Sequence, residues 1–164
     1  MNNCNNELKS ILDERVRNLY KIIVQSKLTT KERIKGCSEL EITNLKQTYN
    51  QLYFPYSYEV FLRHFGHGFA PMGNEFEYLY EDALLLTQYE RDIERELKEE
   101  GNLNPEELLP EKAFVFAKRQ GMQLWYFIAQ EGIEDSPVFY DPDGGGNAIK
   151  MYESIFDFWE ERVG

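Results

Sequence analysis

The chain has 164 residues, 42% of them hydrophobic and 15% aromatic, which is enough to bury one core and short for two domains. With 29% charged residues and no low-complexity tract, the composition excludes a disordered chain. A net charge of −11 argues against a general nucleic-acid binder, because phosphate contacts need Lys and Arg. The opening MNNCNNELKS has neither a basic leader nor an apolar run of signal-peptide length, and nothing later approaches the roughly 20 apolar residues that cross a bilayer. The sequence therefore predicts a cytoplasmic protein without a membrane partner. Cys4 and Cys37 are far apart in polar surroundings, so neither a disulfide framework nor a cysteine-based zinc site is expected.

In chain order, Leu8, Ile11, Leu12, Val16, Leu19, Ile22 and Ile23 recur on one helical face and predict an amphipathic helix over about 5–26. A basic connector follows. Ser38 with Glu41 three residues later is a capping-box signature ahead of Ile42, Leu45, Tyr49 and Leu52, so a second helix begins there. Phe54-Pro55 interrupts it, and proline suits the first turn of a third helix striped by Tyr58, Phe61, Leu62 and Phe65 and closed by Gly66 or Gly68. Glu75 to Tyr80 alternates like a strand. Leu86, Tyr89, Ile93 and Leu97 then stripe a long charged helix that Gly101 closes.

From Ala113 onward the chain reads as a meander: strands at 113–117, 123–129, 137–140 and 148–152, and a last helix capped by Ser154 and Asp157. The segment Asp141-Pro142-Asp143-Gly144-Gly145-Gly146 could hold a calcium ion or only turn the chain. From Asp141, a calcium loop needs an oxygen ligand at its fifth position and a bidentate glutamate at its twelfth, where Gly145 and Tyr152 stand. No Lys-Ser or Lys-Thr pair follows the glycines either, so the segment is read as a turn between strands. Together these elements predict one α+β fold, a mostly antiparallel sheet of short strands with helices packed on it. A helix and connector over 1–33 precede an α+β domain over 34–164. Phe61, Leu62, Trp125, Phe139, Phe158 and Trp159 are assigned to its core.

Catalytic signatures are weak. His64 and His67 stand three apart, but no cysteine or carboxylate joins them locally, so no metal or cofactor is expected. There is no nucleophile elbow and no cysteine set near a histidine in sequence, which predicts a protein that is not an enzyme. The charge is the more informative feature. Residues 7–35 hold eight basic against four acidic side chains, whereas residues 75–111 hold three against thirteen. A field of that sign steers cationic partners towards the middle of the chain.

The order of landmarks resembles the SMI1/KNR4 family, the SUKH superfamily. Its capped helix beginning near Gly-x-Ser/Thr-x-x-Glu-Ile is matched by Gly36-Cys37-Ser38-Glu39-Leu40-Glu41-Ile42. Its Leu-Pro-x-x-aromatic segment is matched by Phe54-Pro55-Tyr56-Ser57-Tyr58-Glu59-Val60-Phe61-Leu62, with Phe54 in place of leucine. Trp125-Tyr126-Phe127, Pro137-Val138-Phe139-Tyr140, the Asp141 to Gly146 turn and Ser154-Ile155-Phe156-Asp157-Phe158 follow in the family's order, while the acidic helix of residues 82–100 looks like an insertion. The resemblance covers about 34–162. It implies a bacterial immunity protein that binds and neutralises a cognate toxin, often a nuclease, by occlusion. The alternative it implies is a regulatory or scaffold protein tied to cell-wall synthesis. Combined with the charge, it nominates Glu94, Glu99, Glu100, Glu106, Glu107, Asp141 and Asp143 for contact with a toxin of basic surface.

Overall fold

A computed structural model of the chain describes residues 2–50, 53–73, 75–105, 108–144 and 147–164. The fold is α+β: helices α1 (Asn2–Gln25), α2 (Glu39–Thr48) and α3 (Tyr56–Phe65) precede a five-stranded antiparallel sheet. The sheet's order is β1-β2-β3-β4-β5, with β1 at Phe76–Glu77, β2 at Ala113–Arg119, β3 at Gln123–Ile128, β4 at Val138–Asp141 and β5 at Ile149–Tyr152. Between β1 and β2 lie a single turn of helix, α4 (Tyr80–Ala83), and the charged helix α5 (Leu86–Glu99); α6 (Ile155–Val163) ends the chain. Each β2-to-β5 connection is local, which is the meander the sequence predicts. No described helix is long and apolar enough to cross a membrane.

The helix signals act as expected. The Ser38 hydroxyl accepts the Glu41 amide, while Glu41 Oε2 accepts the Ser38 amide at 2.8 Å, so two otherwise unpaired donors of α2 are satisfied. Ser154 and Asp157 repeat the arrangement at α6. At the end of α5, Gly101 takes φ +73°, and the amides of Gly101 and Asn102 close back on Lys98 and Leu97.

Gly66 differs from expectation. It follows α3 at φ −59°, so its left-handed freedom is unused. A Cβ there would lie 2.2 Å from Cys37 Sγ. Smallness, not conformation, is what the position requires.

The strand expected over 75–80 is shorter than its alternation suggests. Only Phe76 and Glu77 pair with Arg119 and Lys118. The Asp82 carboxylate accepts the Tyr78 and Leu79 amides at 2.8 and 3.0 Å and starts α4, a local cap that outcompetes the ladder.

The main core lies between one face of the sheet and α1, α3 and α6. Phe61, Leu62, Phe158 and Trp159 are fully buried there, and Phe61 stacks on Trp159 with ring centres 3.9 Å apart. Leu12, Val16, Leu19 and Ile23 of α1 enter the same core. Arg15 bonds Glu160 and Asp157 on α6, and Tyr56 bonds Asp13, so the N-terminal helix is packed into the fold rather than appended to it. Trp125 is buried as expected, but Phe139 points to the opposite face and is only partly buried. That face is covered by α5 over a small cluster of Leu86, Leu109, Ala113, Val115, Leu124 and Tyr126.

Candidate functional site

The acidic segment folds as α5 and the loop that returns to β2. Its inner side is held by polar contacts as much as by apolar ones. The Thr87 hydroxyl accepts the Val115 amide at 2.9 Å, close to where the β2–β3 register slips. Lys118, buried on β2, gives its ammonium to Glu90 at 2.6 Å and sits 4.2 Å from the centre of the Tyr89 ring. Arg91 donates to the Leu109 and Pro110 carbonyls, and Glu94 accepts the Leu109 amide. Of the basic groups on this helix Arg91 is turned to internal acceptors, while Arg95 and Lys98 are exposed. Arg95 pairs with Asp92.

The outer side is acidic. Glu96, Glu99 and Glu100 are exposed. Beside them, Leu103, Pro105 and Leu108 line an open hollow of about 450 Å³ with Arg91, Glu94, Arg95 and Lys98. Leu85 and Tyr89, both more than half exposed, flank a second hollow of about 320 Å³ towards Lys118. Carboxylates next to exposed apolar side chains can recognise a cationic protein surface by charge and by contact area.

The nominated residues divide among different situations. Glu99 and Glu100 are exposed, Glu100 accepting the Asn102 side-chain amide at 3.2 Å, while Glu94 is part of the scaffold through Leu109 and Arg91. Glu106 and Glu107 lie outside the described residues. Asp143 is exposed, whereas Asp141 is 4% exposed and one of its oxygens accepts the Asp143 amide at 3.2 Å. This is a side chain closing a turn. Gly144 takes φ +65°, and β4 pairs antiparallel with β5, Gly145 and Gly146 of the expected turn lying outside the described residues. Asp141 and Gly144 share a small hollow of about 40 Å³ with Glu90, Ile93 and Glu94, so this turn does border α5.

A second constellation was not visible in the sequence. His64 turns its Nδ1 to the Val60 carbonyl, away from His67. His67 instead meets two carboxylates: Nε2 lies 2.9 Å from Glu41 Oε1, and Nδ1 lies 2.8 Å from Glu81 Oε1. Cys37 completes the group, with one potential ligand atom of Cys37, Glu41 and His67 each within 4.8 Å of the others. Cys37 and His67 are distant in sequence, and a short bridge between Lys35 and Gly68 brings their segments together.

Burial, and then the facing carboxylates of Glu41 and Glu81, push the Cys37 thiol up to about 12. Reactive cysteines need positive surroundings, so this one is a poor nucleophile. Burial lowers the His67 pKa, but the hydrogen bonds to Glu41 and Glu81 outweigh it and leave the imidazole above its ordinary value.

No family model matches the chain, and no curated protein is significantly similar to it.

Proposed function

We propose that the protein is a non-catalytic immunity protein of the SMI1/KNR4 type, which neutralises a cognate toxin of basic surface by covering it with the acidic face of α5. The observation that carries this reading is the polarity of α5. Arg91 is spent on carbonyls and Lys118 on Glu90, while Glu96, Glu99 and Glu100 face solvent beside an apolar hollow. A nuclease holds phosphate in a basic cleft, so carboxylates presented to that cleft gain both speed of encounter and complementary potential. The order of capped helix, aromatic third helix and strand meander supports the family assignment.

The test is to look for a toxin-like C-terminal domain in the neighbouring open reading frames and to co-express it with this chain. Growth restored by the chain, and stoichiometric complex formation without turnover, is the expected result. A toxin that stays fully active in its presence would favour the regulatory scaffold reading instead.

A further inference from the structure

We propose that Cys37, Glu41 and His67 form a zinc site, with Sγ, Oε1 and Nε2 as its protein ligands and a fourth position open to solvent. The donor set comes first. One sulfur, one imidazole nitrogen and one carboxylate oxygen suit zinc, whereas calcium and magnesium take oxygen ligands throughout. Bonds of about 2.0–2.3 Å in a tetrahedron place ligand atoms roughly 3.3–3.8 Å apart. Here Nε2 and Oε1 stand 2.9 Å apart, and Cys37 Sγ, a ring nitrogen of His67 and a carboxylate oxygen of Glu41 all lie within 4.8 Å of one another. Shifts of a few tenths of an ångström to about an ångström would admit the ion.

Each ligand is oriented by something other than the others. Glu81 holds Nδ1 of His67, which aims Nε2 at the site in the carboxylate–histidine–metal arrangement typical of bound zinc. Ser38 holds Oε2 of Glu41 through its amide and hydroxyl, leaving Oε1 for the site. Cys37 donates its amide to the Leu62 carbonyl, and its sulfur rests against Gly66, where no larger residue fits. The backbone is equally fixed. His67 donates to Lys35, and Lys35 to Gly68, across a gap so narrow that a Cβ at Gly36 would stand 1.7 Å from the Arg63 carbonyl oxygen and one at Gly68 1.9 Å from that of Arg33. His67 and Glu41 are partly exposed, which provides an entry path and room for a water as fourth ligand.

The site is independent of the toxin-binding reading, and its test needs no partner. Untagged protein, stripped with chelator, is titrated with Co²⁺. The expected result is one equivalent bound, with the near-ultraviolet charge-transfer band of a cobalt–thiolate bond and with visible bands of tetrahedral intensity, all displaced by Zn²⁺.

C37S abolishes the thiolate band and C4S keeps it. E81Q, which removes no ligand but alters the partner of His67 Nδ1, weakens metal affinity about 10- to 100-fold, as loss of an orienting partner does. H67Q serves if C37S does not fold, and it too lowers affinity. Folded wild-type protein without the band, or a band that survives in C37S or disappears in C4S, would overturn the assignment.

Discussion

The face of the sheet against α1, α3 and α6 is paved with interlocking rings, whereas the face under α5 rests on six buried residues, one buried ion pair and one hydroxyl–amide bond. The first arrangement is mainly apolar, although the Tyr58 hydroxyl and the Trp125 and Trp159 indole nitrogens are buried in it without a hydrogen-bond partner among the described residues. The second has polar groups that must each stay satisfied, because a buried charge or donor that loses its partner costs more than a lost contact. A thick apolar layer thus carries the stability, and a thin polar one fixes the orientation of a helix whose outer side is charged.

The comparison is sharpest in truncations on the two faces. Phe61→Ala removes a ring stacked on Trp159 in the fully buried layer and should cost about 3 to 5 kcal/mol in a urea melt. Glu90→Leu strands the buried Lys118 ammonium and should cost about 3 kcal/mol, while Glu90→Leu with Lys118→Met should recover most of that loss. Recovery in the double variant is the signature of a pair that orients rather than stabilises. Phe139→Ala, on the thin side and partly buried, should cost only about 1 to 2 kcal/mol by the same melts. Equal losses for Phe61→Ala and Phe139→Ala would mean that the two layers are energetically alike.

What could be read from sequence follows the range of the physics involved. Ser38 and Glu41, Ser154 and Asp157, and Gly101 act within one helical turn, so their spacing announces them. The meander is equally local, since each strand pairs with the next. Phe139 was misassigned because alternation reveals two faces without saying which one is thick. Tyr89 was read as part of an apolar stripe, but it is 55% exposed and instead lies beside the Lys118 ammonium. Glu94 was indistinguishable from its neighbours until the Leu109 amide was seen to need it. The Cys37, Glu41 and His67 group is the clearest gap. Its members come from two segments about thirty residues apart, joined by a bridge between Lys35 and Gly68 that leaves no periodicity in the chain. Gly66 and Gly68 look in sequence like ordinary helix-end punctuation, and Gly36 like the opening of a capped-helix motif, so none of them announces the approach of the two segments.

The central claim is that the outer side of α5 and the loop after it meet a cationic partner. Glutamine at positions 99, 100, 106 and 107, with Glu94 retained, removes charge while keeping the bond between Glu94 and the Leu109 amide. The decisive measurement is the association rate of this variant and of the native protein with the cognate toxin, followed from low salt to molar salt. The account predicts slower association of the variant at low salt, with the two curves converging as the Debye length falls to about 3 Å. Identical rates at low salt would contradict it and leave the acidic helix as a solvated surface.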